Sequence, residues 1–283
     1  MCMDDDCPNL ARRGVLQTGA ALLVQVLVAS GARAQHSTPA PGNVKFATTV
    51  GECGGYLALP NSSEPAPAVL LMHGEIGVPE GHRLVANELA EAGFCALVVQ
   101  RFSRLPGFSW EDIKKDNEGA KHFTSESFFQ EEQQEALGAI DFLQKQSGVR
   151  PGKMGAVGFC AGGIAVVRLS LITPLAAVVS FYGPPARGPK YQNADPLISL
   201  VEIGDRIRTP LQLHYGTADY VVKAPDIDRL AAEVRGAGTE VEVYAYEGAT
   251  HAFYDRTNAE AWNAERGALA HDRYIAFLKR HML

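Results

Sequence analysis

The sequence predicts an α/β fold: a doubly wound, mostly parallel sheet with helices on both faces, a three-layer sandwich. Three observations predict it. Short apolar runs bounded by turn residues recur along the chain, the kind of segment that is buried on both faces of a parallel sheet. Stretches with apolar residues at helical spacing fall between them. The two kinds alternate, which requires parallel strands joined by crossover helices. The chain has 283 residues, 46% apolar and 20% charged, an ordinary globular composition long enough for one full core.

Residues 1–34 read as an export signal. Arg12 and Arg13 precede a modestly apolar run, Val15 to Val28, and the segment ends at Ala32-Arg33-Ala34, with small residues at the two positions a signal peptidase reads. The paired arginines resemble a twin-arginine signal. The run is short of the roughly 20 residues that cross a bilayer as a helix. The expectation is cleavage after Ala34, giving a periplasmic or secreted protein without a stable membrane anchor. Cleavage would remove Cys2 and Cys7 and leave Cys53, Cys95 and Cys160. An odd count is not a disulfide framework. Cys95, in the apolar run Cys95-Ala96-Leu97-Val98-Val99, reads as a small buried hydrophobe.

Gln35 to Asn43 is a polar, proline-containing linker, and residues 44–283 form the expected domain. Val44 to Val50 and Tyr56 to Leu59 read as short strands joined at Gly51-Glu52-Cys53-Gly54-Gly55. The first long buried strand is Val69–His73, and Cys95–Val99, Met154–Phe159, Ala176–Tyr182 and Leu211–Tyr215 follow. Val241–Tyr246 alternates, with Val241, Val243 and Ala245 on the expected covered face. Helices are expected over His82–Ala92, Ser125–Gln146, Ala161–Leu171, Pro225–Gly236 and Ala259–Met282. In the second of these Phe129, Ala136, Ile140 and Leu143 face inward, with Glu131, Glu132 and Gln134 outside. The net charge of −6 is spread along the chain and no basic cluster follows a phosphate backbone, which excludes nucleic-acid binding as a reading.

The chemistry converges on Cys160. It joins a strand to a helix in Gly158-Phe159-Cys160-Ala161-Gly162-Gly163, with glycines two residues to either side. That is the G-x-S-x-G nucleophile turn with sulfur in place of oxygen. A sharp strand-to-helix turn lifts a side chain above the carboxyl edge of the sheet, where α/β ligand sites lie. It also sets the thiol at a helix N-terminus, which favours thiolate. A buried cysteine beside a glycine-rich turn is the rival reading, and the later strand ends decide against it. Asp219 follows strand Leu211–Tyr215 in Gly216-Thr217-Ala218-Asp219, and His251 follows Val241–Tyr246 in Gly248-Ala249-Thr250-His251. Thiol, carboxylate and imidazole thus arrive in the order nucleophile, acid, base at successive strand ends. His73 also sits at a strand end, but only His251 follows a strand-end acid. The oxyanion requires backbone donors. The N–H of Ala161, next after the nucleophile, is one; the loop His73-Gly74-Glu75-Ile76-Gly77 would supply the other from Glu75. A metal site of Cys160, His73 and His251 is a remote alternative without a close-spaced ligand pair.

With these residues in hand, the chain resembles the dienelactone hydrolase family of α/β-hydrolases over nearly all of Asn43 to Leu283. The resemblance rests on Gly158-Phe159-Cys160-Ala161-Gly162-Gly163, Tyr215-Gly216-Thr217-Ala218-Asp219 and His251-Ala252-Phe253-Tyr254, the last followed by a long C-terminal helix. It implies a Cys-Asp-His triad that opens lactones and other carboxylic esters with no metal and no organic cofactor. It also implies arginines that bind a substrate carboxylate. Arg104 lies in the matching segment, and Arg256 follows His251 by five residues, one more than in well-studied members. Where those members place a glutamate that contacts the thiol, a gapless match puts Gly74, with Glu75 one residue on. An export signal is a further departure from them. Phe102, Phe108, Trp110, Tyr182, Phe253 and Tyr254 are candidates to line the pocket, with core packing an equal reading for most; Tyr182 and Phe253 are the chosen substrate contacts.

The expected function is hydrolysis of a small ester or lactone through a thioester acyl-enzyme. Hydrolysis of another acyl bond, such as a thioester or a polyester fragment, is the second enzymatic reading. A non-catalytic binding protein of the same fold is the reading from a different class, and loss of a triad member would have favoured it.

Overall fold

The computed structural model describes residues 41–74, 80–102, 125–186 and 198–283. The expected export signal, Glu75, Arg104, Phe108 and Trp110 lie outside the described residues.

The apolar runs form one sheet of eight strands in the described residues. They are β1 (Gly42–Thr48), β2 (Gly51–Ala58), β3 (Ala66–Met72), β4 (Cys95–Gln100), β5 (Val149–Phe159), β6 (Ala177–Phe181), β7 (Leu211–Gly216) and β8 (Val241–Tyr246), in spatial order β1-β2-β4-β3-β5-β6-β7-β8. From β4 through β8 every pairing is parallel, while β2 pairs antiparallel with both β1 and β4. The helices are α1 (Glu80–Glu91), α2 (Glu126–Gln144), α3 (Ala161–Leu169), α4 (Ala224–Gly236) and α5 (Ala264–Met282), with a 3₁₀ turn over Leu200–Arg206. Among the described residues no helix is long and apolar enough to cross a membrane.

Side-chain alternation along β5 shows that helices cover both faces. A Cβ on Gly155 would meet Met282 of α5, whereas one on Gly158, an odd number of residues later, would meet Val166 of α3. The central strands are apolar on both sides for this reason. All seven residues of β3 are buried, and each fully buried Leu or Met contributes about 1.5–3 kcal/mol. The chain runs from β3 to β4 on one side and reaches β5 on the other. The switch in winding direction therefore lies between β3 and β5, the crevice where ligands settle in open α/β sheets.

Element boundaries shift modestly from the expected ones. The strand leading to Cys160 begins at Val149, but its exposed first part leaves Met154–Phe159 as the buried segment. Thr49 and Val50 form the turn of the first hairpin, so β2 starts at Gly51, inside the segment expected to be the connection. Two facing expectations are corrected. Glu132 and Glu135 are both 0% exposed, so the side of α2 expected to face solvent is partly buried; Glu132 is compensated there by Arg101. In β8, Ala245 is exposed and Tyr246 buried, because Tyr246 reaches His214 of β7 with its hydroxyl, 2.8 Å from Nδ1.

Candidate active site

Cys160 stands at the junction of β5 and α3, facing the crevice between β3 and β5. Its backbone holds φ 54° and ψ −119°, a region side chains avoid. The surrounding packing enforces it. A Cβ on Gly162 would lie 2.1 Å from the Met72 carbonyl oxygen, and one on Gly158 would lie 2.1 Å from that of Gly162. Only glycines permit β3, β5 and α3 to approach this closely. The Cys160 N–H donates to the Phe181 carbonyl at 2.9 Å and anchors the turn to β6.

From the half-buried sulfur a line of contacts runs across the sheet. His251 Nε2 lies 3.2 Å from Cys160 Sγ, and His251 Nδ1 lies 2.8 Å from Asp219 Oδ2. The other oxygen of Asp219 accepts the N–H groups of Val221 at 2.7 Å and Val222 at 3.0 Å, so the carboxylate is held from its own loop. The loops carrying Asp219 and His251 are tied together by the Ala218 N–H on the Ala249 carbonyl (3.0 Å) and the Gly248 N–H on Thr217 Oγ1 (2.8 Å). Burial alone would lower the basicity of His251. Its hydrogen bonds with Asp219 and Cys160, and the charges of both, outweigh burial and raise it to about 10. The arrangement favours a protonated imidazole against the sulfur.

Ala161 opens α3, so its N–H has no partner within the helix and is available to an oxyanion. Gly74 packs against the same cysteine: a Cβ there would come 3.1 Å from Cys160 Cβ. The expected second donor, Glu75, belongs to the next residue and is outside the described residues. Tyr182, at the end of β6 with φ 40°, presents its ring edge to His251 with centroids 5.1 Å apart. Phe253 is 0% exposed and packs on Tyr246 and Tyr182, so it sits in the core behind Tyr182. Tyr254 is buried likewise, its ring stacked near Phe181. Arg256 ion-pairs with Glu88 of α1 and lies over the Trp262 ring at 5.3 Å.

Two buried polar groups near the site escaped the sequence reading. Arg101, at the end of β4, joins Glu132 to the carbonyls of His73 and Gly74. Its position directly after an apolar strand was the available signal. His82 of α1 packs edge-on against Phe159 at 4.9 Å, and burial lowers its basicity to about 4. His73 uses both ring nitrogens on the backbone, one on the Arg101 N–H and one on the Gly74 carbonyl, and so offers none to a metal. Among the described residues no group of three His, Cys, Asp or Glu side chains could hold a metal ion. Cys95 Sγ donates to the Gly148 carbonyl, and burial pushes its thiol up to about 11, far from reactivity.

Comparison with known proteins bears on this site. The profile of the dienelactone hydrolase family matches residues 53–282. The carboxymethylenebutenolidase of Pseudomonas putida is 26% identical over 225 residues, covering 79% of this chain and 90% of its own. Among solved structures, a dienelactone hydrolase-like promiscuous phosphotriesterase from metagenomic libraries superimposes with a TM-score of 0.70 at 21% identity, covering 87% of this chain and 100% of its own. An esterase of Pyrococcus furiosus gives 0.62 at 19% identity, with coverage of 86% and 91%. At such identities the structural matches speak for the fold alone.

Proposed function

The chain belongs to the dienelactone hydrolase family, and on that premise we propose that it hydrolyses small carboxylic esters or lactones with Cys160 as nucleophile, His251 as general base and acid, and Asp219 as the group orienting the imidazole. One observation carries the reading. Sulfur, imidazole and carboxylate form an unbroken line, 3.2 Å and then 2.8 Å, at the ends of β5, β8 and β7.

The thiolate attacks the ester or lactone carbonyl, and the carbonyl electron pair moves to oxygen as an oxyanion. Ala161 N–H and the N–H of residue 75 receive that charge. On collapse the C–O bond breaks, and His251 passes its proton to the leaving alkoxide. A thioester to Cys160 remains. His251, now neutral, takes a proton from water. The resulting hydroxide adds to the thioester, and the acid departs as the C–S bond breaks. With an amide the adduct would expel thiolate more readily than amine, so esters are the suited class. Tyr182, 3% exposed and packed against the His251 ring, is the side chain assigned to contact the acyl group in this reading. A substrate carboxylate would be met by Arg104, or by Arg256 if that residue exchanged its partner Glu88.

The test is hydrolysis of p-nitrophenyl acetate and a lactone panel by the protein and by Cys160→Ala. Loss of turnover is expected. Undiminished turnover by the variant would remove Cys160 from the chemistry.

A further inference from the structure

Arg101 directly follows β4 and has 2% of its surface exposed. Its Nε donates to Glu132 Oε1 at 2.9 Å, and Nη2 ion-pairs with the same oxygen. From the other edge of the guanidinium, Nη1 donates to two successive carbonyls, His73 at 2.5 Å and Gly74 at 2.9 Å. The Arg101 N–H donates to His73 Nε2 at 3.0 Å. With Nε2 accepting, the proton of a neutral His73 ring lies on Nδ1, which donates to the Gly74 carbonyl at 2.7 Å. Burial, and after it the charge of Arg101, keeps His73 neutral. Both carbonyls preceding residue 75 are therefore held by Arg101, the second also by His73.

This network is poorly explained as a device for stability. A buried ion pair is often matched or bettered by apolar residues of similar volume. Its geometry has a clearer meaning. A planar trans peptide ties each N–H to the direction of the preceding carbonyl. The Gly74 carbonyl precedes the N–H expected to complete the oxyanion hole, and Gly74 itself lies against Cys160. We propose that Arg101, backed by Glu132, is a positioning residue that fixes the His73 and Gly74 carbonyls, and with them the backbone of Gly74 against Cys160, for the binding of an oxyanion. It touches no substrate, and the inference rests on the hydrolase reading above.

The experiment separates two reactions of one sulfur in the full-length protein. Alkylation of Cys160 by iodoacetamide needs a thiolate but no oxyanion hole; acylation by p-nitrophenyl acetate needs both. Arg101→Lys keeps the charge but loses the fork of donors. The paired change Arg101→Met with Glu132→Gln removes both charges together, so that no buried ion is left alone if the single variant fails to fold. For folded variants, acylation should fall about ten- to hundredfold, KM should change far less than kcat, and alkylation should stay within about twofold. Equal losses in both reactions, or no loss in either, would overturn the positioning role. If the unaltered protein itself releases no nitrophenol, the ester-hydrolase reading fails first, and this role falls with it.

Discussion

Asp219→Asn isolates what the carboxylate does for the imidazole, and its effect can be worked from the contacts. The substitution keeps an oxygen for the N–H groups of Val221 and Val222, which fix the loop at 2.7 and 3.0 Å. The amide nitrogen would then face His251 Nδ1, where the carboxylate oxygen now lies at 2.8 Å. An N–H aimed at Nδ1 forces the ring proton onto Nε2, pointing at the sulfur 3.2 Å away. The imidazole would donate to the thiol when it must accept from it. In a triad of this geometry the wrong tautomer costs about 10³–10⁴ in kcat, or roughly 4–5 kcal/mol of transition-state stabilisation. Steady-state hydrolysis of p-nitrophenyl acetate measures the loss. Iodoacetamide labelling at a fixed pH shows its cause: with no ring nitrogen free to accept the thiol proton, Cys160 should be alkylated more slowly than in the unaltered protein. Activity within about tenfold of the unaltered protein, in a variant with an unchanged unfolding midpoint, would refute the assigned role.

Two further expectations concern stability. Folding keeps a proton on His251 up to about 10, against 6.5 for the unperturbed side chain. The folded chain thus binds the extra proton, so this contribution is complete below 6.5 and is lost as pH rises through about 10, by at most about 5 kcal/mol. Urea unfolding at about pH 6, 8 and 10 should show that decline, flattened in Asp219→Asn; a rise in the His251-dependent part, taken as the difference between the two proteins, would contradict it. Gly162→Ala would place a methyl group 2.1 Å from the Met72 carbonyl oxygen and 2.5 Å from that of His73. Relief requires β3 and α3 to part, so the variant should lose at least about 1–3 kcal/mol and most activity, and an unchanged denaturation midpoint would show that the turn is looser than its contacts indicate.

The parts of the molecule legible in the sequence are those set by local pattern. Buried parallel strands announce themselves as apolar runs, and Cys160, Asp219 and His251 could be ordered because they follow the ends of successive strands, by one, three and five residues. Glu132 could not be placed this way. Helical spacing put it among polar neighbours on an outer face, but its counter-charge comes from Arg101, 31 residues earlier on another element. Phe253, two residues past the base, has the sequence position of a pocket residue. The chain bends at Ala252 with φ 64°, and the phenyl ring ends up wholly buried on Tyr246. Tyr246 similarly breaks the alternation of its strand to meet a histidine on the neighbouring one. Long-range polar pairing and unusual backbone angles leave little trace in hydrophobic periodicity.

The backbone at Cys160 has a consequence for any attempt to evolve or engineer the protein. Its φ of 54° and ψ of −119° are held by the surrounding packing at a cost of order 1–3 kcal/mol, a cost that glycine would largely avoid. At this one position the residue best for durability and the residue proposed to carry the reaction differ. A library screened only for heat resistance would therefore enrich clones that have discarded the thiol. Position 160 has to be locked, and improvements sought in surface helices and hairpins distant from it, where sturdiness and turnover are not in competition.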